Sequence, residues 1–403
     1  MSLNSTASAD RIHIGFFGMR NAGKSSVVNA VTGQELSVVS EVAGTTTDPV
    51  KKAMELLPLG PVVIIDTPGL DDIGELGEKR IQKARSMLAQ TDIAVLVVDS
   101  LIGLRQQDEE QIELFKEKKL PYIVAYNKAE LLSERKELDE HSLYVSAVTG
   151  ENVNELKNRL GAFAKLMDDG RRVIGDKLVP GSTVVLVMPI DEAAPKGRVI
   201  MPQQQVLRDV LDSNCTAVCC QDTELAATLD SLKNPPALVV TDSQVFGKVA
   251  PIVPMSVTLT SFSILFARYR GDLATLVRGA AQLKNLKEGD EVLISEGCTH
   301  HRQCNDIGTV KMPKWIEGFT GVKPNYSFTS GGEYPDDLTK YKLIVHCGGC
   351  VLNPAEMKSR IQRAVEQGVP IVNYGVAIAH MHGILRRSLE IFPEILELLD
   401  EER

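Results

Sequence analysis

The sequence predicts an α/β protein built from several domains, and three observations carry that prediction. The chain has 403 residues, enough for two or three domains of ordinary size. Continuous apolar runs alternate with helical patterns, which is typical of mostly parallel sheets covered by helices on both faces. A charged, glycine-containing stretch at 167–177 interrupts this alternation, which indicates a linker between an N-terminal region and the rest of the chain.

The N-terminal region, residues 1–166, is predicted to form a sheet of buried strands. Each strand corresponds to an apolar run, at 12–18, 61–69, 91–100 and 121–128, and the segment 106–119 has a helical pattern. A second, smaller α/β region is expected at 170–265, and a third at 266–403. The second region lacks a glycine-rich phosphate loop, and the α/β regions are not a sequence repeat.

The composition narrows the class of protein. The net charge of −9 argues against a broad nucleic-acid-binding surface. The N-terminus lacks the apolar segment of a secretion signal, and apolar runs such as 93–98 are too short to span a membrane. We therefore expect a cytoplasmic protein with no nucleic-acid or membrane partner. In a reducing compartment its seven cysteines are expected to be metal ligands, reactive thiols or buried side chains, not disulfides.

A phosphate-binding loop follows the first predicted strand. The segment Gly18–Ser25, GMRNAGKS, fits GxxxxGK[ST] in full, and a helical pattern comes after it. In such loops backbone amides and the helix N-terminus hold phosphate oxygens, the lysine reaches the β- and γ-phosphates, and the serine binds Mg²⁺. The predicted phosphate-binding residues are Gly18, Asn21, Ala22, Gly23, Lys24, Ser25 and Ser26.

Further motifs follow in an order that resembles the GTPase superfamily. Asp66 and Gly69 of DTPG are expected at Mg²⁺ and the γ-phosphate, and a threonine of Thr45–Thr46 is expected to complete the Mg²⁺ shell. The base-binding residues would be Asn127, Lys128, Glu130, Ser146 and Ala147. The family usually has aspartate where this chain has Glu130. Glutamate keeps the acceptor pair but adds a methylene, so we expect GTP to remain the preferred nucleotide.

Two details resemble the TrmE-like branch of these GTPases. The loop contains Asn21, and GTTTD stands at 44–48. The resemblance implies that Asn21 helps to bind a K⁺ ion against the phosphates. No glutamine follows DTPG to orient water, and the resemblance offers Glu78 as an acid acting through water. A solvated glutamate at a helix start is an equally good interpretation of Glu78. Lys24, Asp66 and Glu78 are thus the predicted catalytic residues.

A second constellation lies near the C-terminus. Cys298 and His300 form C-x-H, and after 45 residues comes His346-Cys347-x-x-Cys350. Three thiolates with one imidazole or carboxylate could hold zinc or a [4Fe–4S] cluster, and ligand softness does not choose between them. A thioredoxin-like pair is disfavoured, because extra cysteines and histidines accompany the motif.

A GTPase domain, a middle α/β domain and this cysteine motif together resemble the HydF family of [FeFe]-hydrogenase maturation GTPases. The resemblance implies a [4Fe–4S] cluster bound by Cys298, Cys347 and Cys350, with one iron open to an exchangeable ligand. The candidates for the fourth ligand are His300, His346, Cys304, Asp306 or an exogenous group.

The same resemblance implies a function and partners. The protein would hold a diiron H-cluster precursor on or near its cluster and transfer it to apo [FeFe]-hydrogenase, with the radical-SAM maturases HydE and HydG as partners. Its domains would be a GTP-binding domain at 1–166, a dimerisation domain at 170–265 that forms a homodimer or higher oligomer, and a cluster domain at 266–403. Two alternatives are an RNA- or ribosome-associated GTPase with structural zinc and a redox sensor whose cluster regulates GTP hydrolysis.

Overall fold

The computed structural model describes residues 10–34, 50–67, 87–167, 170–190, 199–297 and 306–401. It divides into two compact units, Met1–Asp169 and Gly170–Arg403. Both are α/β, as the alternation of apolar runs and helical patterns predicts. Among the residues that the structure describes, no helix combines the length and apolar character needed to cross a membrane.

The first unit contains a six-stranded sheet in the order β2-β3-β1-β4-β5-β6. Its strands are β1 (Ile12–Phe17), β2 (Val50–Leu56), β3 (Gly60–Asp66), β4 (Ile93–Asp99), β5 (Tyr122–Asn127) and β6 (Ser142–Tyr144). Among the described strands of this unit, only β2 and β3 pair in antiparallel fashion. The described helices of this unit are α1 (Lys24–Thr32), α2 (Gln106–Glu117) and α3 (Val153–Met167).

The apolar runs fall on the central strands of this sheet, as predicted. β4 is buried along almost its whole length because helices cover both sheet faces. The strands β2 and β6 were not predicted. β2, with the sequence VKKAMEL, is a polar edge strand, and β6 is three residues long, so neither produces a continuous apolar run.

The second unit contains two four-stranded parallel sheets, with orders β10-β9-β7-β8 and β12-β11-β13-β14. The strands of the first are β7 (Thr183–Val187), β8 (Thr216–Cys220), β9 (Leu238–Thr241) and β10 (Thr258–Ser261). Those of the second are β11 (Glu291–Glu296), β12 (Asn325–Ser330), β13 (Leu343–His346) and β14 (Ile371–Asn373). Each sheet places its first strand between its second and third strands.

Ten helices surround these sheets in the described part of the second unit. They are α4 (Met201–Asp212), α5 (Leu225–Ser231), α6 (Phe246–Val249), α7 (Phe262–Arg270), α8 (Leu273–Ala281), α9 (Met312–Thr320), α10 (Pro354–Glu366), α11 (Tyr374–Met381), α12 (Leu385–Ser388) and α13 (Pro393–Glu401). A continuous hydrophobic core includes residues of both sheets, such as Leu186 and Ile344. The second unit is therefore one packed body.

The predicted linker at 167–177 is only partly a linker. Val173 and Ile174 are buried in the core of the second unit. The amides of Ile174 and Gly175 donate to Oδ2 of Asp209 at 2.8 and 2.7 Å. Asp176 forms an ion pair with Arg268. Much of this charged stretch, including residues 173–176, is thus packed into the second unit, which begins at Gly170.

Candidate functional site

The phosphate loop joins β1 to α1 through a tight turn. Gly18, Asn21 and Gly23 all have positive φ angles, of 144°, 63° and 84°. A Cβ atom on Gly18 would collide with the carbonyl of Val97, and one on Gly23 would collide with the amide of Asn127. These two positions therefore need glycine. The loop delivers the chain to α1 at Lys24, so the positive end of the helix dipole lies at the loop.

Lys24, Ser25 and Asp66 converge next to this loop. The hydroxyl of Ser25 donates to Oδ2 of Asp66 at 3.4 Å. Nζ of Lys24 lies 3.9 Å from Oδ1 of the same carboxylate. Asp66 is the last residue of β3, and β3 pairs with β1, so the sheet brings the carboxylate to the loop. A hydroxyl facing a carboxylate beside a phosphate loop is the oxygen set that Mg²⁺ uses in such sites.

Asn127 connects three parts of the nucleotide site. Its Nδ2 donates to the carbonyl of Ala22 at 3.1 Å, and its Oδ1 accepts from the amide of Ala147 at 3.1 Å. The neighbouring Lys128 donates from Nζ to the carbonyl of Asn21 at 2.9 Å. The base-binding residues are therefore fastened to the phosphate loop.

Two acidic side chains complete this region. Asp99, the last residue of β4, lies 2.5 Å from Nζ of Lys128 and holds that side chain in place. Sequence reasoning missed Asp99; its position at the end of a buried strand was the available signal. Glu130 lies in a short 3-10 turn, Ala129–Leu131, and its Oε2 is buried without a hydrogen-bond partner in the structure. This oxygen can accept a hydrogen bond from a ligand.

The structure thus gathers most of the described nucleotide-site candidates at one edge of the sheet. Ser26 follows on α1, and Ser146 is buried with its hydroxyl accepting the amide of Thr149 at 3.0 Å. The remaining candidates lie outside the described residues, and they are Thr45, Thr46, Gly69 and Glu78.

The cysteine motif lies at the carboxyl edge of the second sheet of unit two. Gly297 follows β11, and Cys347 follows β13 directly. These strands are neighbours, with Ser295 opposite His346. In the strand order, β12 lies beside β11 on one side and β14 lies beside β13 on the other, so the order reverses between β11 and β13. Ligands of open α/β sheets bind at such switch points.

Backbone amides surround the sulfur of Cys347. The amide of Gly297 donates to Sγ at 3.0 Å, and that of Gly349 lies 3.4 Å from it. Gly297 directly precedes Cys298 in the sequence. A Cβ on Gly297 would lie 2.6 Å from Cγ of Leu352, so the two ligand-bearing segments pack closely. Amide donors to sulfur stabilise a thiolate or a cluster-bound sulfur.

Arg270, at the end of α7, binds the backbone carbonyls of residues 349–352, the second half of the loop that follows β13. Its side chain is 1% exposed. Its Nη1 donates to the carbonyls of Gly349, Cys350 and Leu352 at 3.4, 3.1 and 3.1 Å. Burial raises the pKa of the Cys350 thiol, and the guanidinium charge of Arg270 opposes that rise. A bound metal would displace that proton.

His346 is not placed as an open ligand. Its Nδ1 lies 2.7 Å from the carbonyl of Cys347, and its Nε2 lies 3.1 Å from Nη1 of Arg360. A guanidinium can only donate, so Nε2 accepts and Nδ1–H donates to the carbonyl. Burial, followed by the charge of Arg360, lowers the pKa of His346 to about 3. Both nitrogens of this neutral ring are occupied, which argues against the prediction that His346 binds iron.

Two carboxylates lie near the sulfur site. Glu296 ends β11, is buried, and accepts a hydrogen bond from the hydroxyl of Tyr374 at 3.3 Å. Burial raises the pKa of Tyr374, and the charges of Glu296 and Cys347 raise it further. Asp306 uses Oδ2 to accept from the amide and hydroxyl of Thr309 at 2.8 and 2.9 Å. Sequence reasoning missed Glu296; its place two residues before Cys298 was the available signal.

The described part of the cysteine site offers donors that suit a thiolate-bound metal centre. It offers two cysteine sulfurs, amide donors aimed at one of them, and apolar cover from Leu352 and Met357. Cys298, His300 and Cys304 lie outside the described residues. Within the described ranges, no group of three or more His, Cys, Asp or Glu residues forms a complete metal site.

Two family models match adjoining parts of the second unit. The model for the hydrogen maturase F dimerization domain matches residues 173–271, and the model for its tetramerization domain matches 274–391. Together they cover more than half of the chain. The chain belongs to the hydrogen maturase F family. A third model, for a 50S ribosome-binding GTPase, matches 13–128, so this hydrogen maturase F chain carries a GTPase domain.

Curated relatives share part of the hydrogen maturase F chain. The tRNA modification GTPase MnmE of Legionella pneumophila (strain Paris) is 40% identical over 144 residues, covering 35% of this chain and 32% of the relative. The GTPase Der of Kosmotoga olearia is 30% identical over 178 residues, covering 40% of each. The chain spans about a third of the length of the MnmE relatives.

Among solved structures, a probable GTP-binding protein, EngB, is 23% identical and has a TM-score of 0.30. The match covers 38% of this chain and 99% of that one.

Proposed function

We propose that this chain is a GTPase scaffold that holds a diiron H-cluster precursor on or near a [4Fe–4S] cluster and transfers it to apo [FeFe]-hydrogenase. The observation that carries the proposal is a phosphate-loop site together with a CxxC loop whose Cys347 sulfur accepts amide hydrogen bonds, in a chain of this family. The proposed domains are 1–166 for GTP, 170–265 for dimerisation and 266–403 for the cluster.

GTP hydrolysis is proposed for the first unit. Water would attack the γ-phosphorus, and the bond from that phosphorus to the β–γ bridging oxygen would break, giving GDP and phosphate. Lys24 would stabilise charge on the β- and γ-oxygens, while Ser25 and Asp66 would position Mg²⁺. Mg²⁺ and K⁺, when bound, supply positive charge to the phosphates. The remaining predicted roles are those of Asn21 at K⁺, Thr45–Thr46 at Mg²⁺, Gly69 at the γ-phosphate and Glu78 at water.

Glu130 is proposed to read guanine. Its buried Oε2 has no hydrogen-bond partner in the structure, and guanine offers the N1 and N2 donors that a carboxylate accepts. The 3-10 turn after Lys128 keeps this side chain beside residues already tied to the phosphate loop. An unfilled buried carboxylate oxygen is costly, so a guanine base would relieve that cost.

The cluster is proposed to be bound by Cys298, Cys347 and Cys350. When bound, it supplies an iron with one position open for the diiron cargo. The amides of Gly297 and Gly349 would stabilise the sulfur of Cys347. His346 is omitted from the proposed ligands for the geometric reason given above. The fourth position stays among His300, Cys304, Asp306 and an exogenous group, and Glu296 joins these candidates because it is a buried carboxylate at the end of β11, two residues before Cys298.

Self-association is proposed through the exposed edge strand β8. The amide of Thr216 donates to the carbonyl of Ser182, and the carbonyl of Cys220 accepts from Met188. Residues 216, 218 and 220 therefore pair with β7, and Ala217 and Cys219 turn their backbone groups to the open edge. An open edge strand pairs readily with a second copy. A homodimer would then present two cluster sites to the further proposed partners, the maturases HydE and HydG and the apo-hydrogenase.

Nucleotide state is proposed to bias the binding or release of partners in the cytoplasm, not the cluster chemistry. Partner dissociation rates that are equal with GTP, with GDP and without nucleotide would rule out this role.

The first test is anaerobic reconstitution with iron and sulfide, followed by EPR of the dithionite-reduced protein. A [4Fe–4S]⁺ signal that disappears in a Cys347→Ser/Cys350→Ser variant is expected. A silent spectrum with tightly held zinc would overturn the cluster assignment and favour the RNA-associated GTPase. GTP hydrolysis that changes when the cluster is reduced would favour the redox sensor.

A further inference from the structure

Two buried arginines hold the loop that carries the CxxC motif. Arg270 takes the carbonyls of Gly349, Cys350 and Leu352. Arg360 acts through a second residue: it donates to Nε2 of His346, whose Nδ1–H donates to the carbonyl of Cys347. Four carbonyls between residues 347 and 352 are thus hydrogen-bonded: three to Arg270, and that of Cys347 to the neutral ring of His346, which in turn accepts from Arg360.

Arg360 is itself firmly anchored. Its Nη2 donates to the carbonyl of Gly331 at 2.7 Å and to Oε1 of Glu356 at 2.6 Å. Its guanidinium carbon lies 5.1 Å from the ring centre of Tyr334. The side chain of Arg360 is 4% exposed. These three contacts fix the position of Arg360, and Arg360 in turn fixes the orientation of the His346 ring.

This grip has an electrostatic consequence for the sulfur site. Carbonyl oxygens carry partial negative charge and would repel a thiolate or an anionic cluster. Arg270 holds the carbonyls of Gly349 and Cys350, which leaves the amide side of the same two peptide groups for sulfur. Burial raises the pKa of the Cys350 thiol, and hydrogen bonds from the backbone amides of Cys350 and Val351 lower it. The left-handed conformation of Gly349, with φ of 62°, allows this turn of the chain.

We propose that Arg270 and the His346–Arg360 pair are positioning residues that fix the 347–352 loop in a metal-ready conformation, and that His346 acts through its two hydrogen bonds and not as an iron ligand. The inference rests on the proposed cluster site. It assigns to the histidine of HCxxC a role in orienting the Cys347 carbonyl, and to Arg270 the same role for the second half of the loop.

The test uses the full-length, reduced apo-protein and titrates it with Co²⁺ under anaerobic conditions, following thiolate-to-cobalt charge-transfer absorption. Arg270→Met and His346→Leu are each expected to weaken Co²⁺ binding by about 10–100-fold, the usual cost of losing an outer hydrogen-bond partner of a metal ligand. Arg268→Met is the matched control, since Arg268 lies on the same helix but pairs with Asp176. It should bind as wild type does.

His346→Gln separates positioning from ligation. A glutamine side chain has a carbonyl oxygen that can accept from Arg360 and an NH₂ group that can donate to the carbonyl of Cys347. It should restore Co²⁺ affinity to near the wild-type value. If His346→Gln binds as weakly as His346→Leu, the relay is wrong. Pulsed EPR of the reconstituted, reduced cluster in ¹⁵N-histidine-labelled protein tests ligation directly. No ¹⁵N coupling from His346 is expected. A ¹⁵N coupling that is present in wild type and disappears in His346→Gln would overturn the proposal, even if the other variants failed to fold.

Failure of the inference differs from failure of the proposed function. If the wild-type protein shows no thiolate–cobalt absorption, the cysteine metal site itself is wrong and both proposals fall. If the wild type binds and Arg270→Met, folded by urea titration, binds equally well, only the positioning role falls. Arg270→Lys gives a second reading, because a lysine keeps the charge but not the planar fork that reaches three carbonyls, and it should also lose affinity.

Discussion

Lowering the pH should destabilise the metal-free second unit through His346. Burial and Arg360 hold the pKa of this histidine at about 3, against an ordinary value of 6.5. Between these pH values the His346 imidazole is therefore protonated in the unfolded chain but neutral in the folded chain. Stability rises with pH wherever the unfolded state binds more protons, so the loss begins as pH falls below 6.5 and ceases below about 3.

The size of the effect follows from the width of that window. Each pKa unit corresponds to about 1.4 kcal/mol, so at pH 5 the penalty is about 2 kcal/mol. At pH 7.5 it is close to zero. Carrying the pH lower would enlarge it, but many carboxylates then titrate as well. The comparison between pH 7.5 and 5 is therefore the cleanest.

The assay is urea unfolding of the reduced apo-protein at both pH values, for wild type and for His346→Gln. Glutamine does not titrate, so the variant should lose about 2 kcal/mol less than wild type on acidification. Subtracting the pH-dependent change in unfolding free energy of the variant from that of wild type cancels the contribution of every titrating group that the two proteins share. His382→Gln is the matched control, because His382 is exposed in the same unit.

Equal acid sensitivity in wild type and His346→Gln would refute the reasoning. It would mean that His346 accepts a proton in the folded state. In that case Arg360 could not donate to Nε2, and the hydrogen-bond relay to the Cys347 carbonyl would not exist as described.

Three further predictions concern the nucleotide site and the dimer. Gly23→Ala should abolish nucleotide binding, measured with a fluorescent GDP analogue, because its Cβ would collide with the side-chain amide of Asn127. Gly33→Ala is the control: Gly33 also has a positive φ, but no described atom lies within 4 Å of its Cβ position, so this variant should bind normally. Glu130→Gln should weaken GDP binding by about 10–100-fold, the worth of a charged hydrogen bond, whereas Glu130→Asp should not. Cys219→Pro should shift the dimer toward monomer in light scattering, since proline removes the backbone N–H that β8 would donate to a second copy. Cys219→Val keeps that N–H and should not shift the dimer. An unchanged dimer in Cys219→Pro would rule out pairing through β8.

The sequence was sufficient for the phosphate loop because the chemistry there demands particular residues at fixed local spacing. Gly18 is required by the close approach of the Val97 carbonyl and Gly23 by that of the Asn127 side chain, while Lys24 and Ser25 are the residue types that phosphate and Mg²⁺ binding would demand. The apolar runs likewise marked the buried strands. The polar edge strand β2 escaped detection, because only a strand buried on both faces gives a continuous apolar run.

The neighbours of the cysteine loop could not be predicted in the same way. Arg270 contacts carbonyls about eighty positions later in the chain, and only the packing of α7 brings it there. His346 was a reasonable ligand candidate because it adjoins Cys347 in sequence. Its ring is instead used by Arg360, on α10, a contact that depends on how that helix packs against β13. Local sequence gives residue chemistry, while the fold decides which groups are already occupied.

The two sheets of the second unit share a strand order but differ in what their carboxyl edges do. In the second sheet the edge carries the cysteine loop. At the first sheet's edge, α11 packs so closely that a Cβ on Gly375 would collide with Ser263 and approach Ser243 within 3.3 Å. The residue before Gly375 is Tyr374, which donates to Glu296 beside the cysteine loop. The segments that follow β9 and β10 of the first sheet therefore pack against α11, the helix whose Tyr374 reaches Glu296 at the edge of the second sheet. Any dimer contact made on β8 would consequently set the orientation of the cluster site as well, because both belong to one packed core.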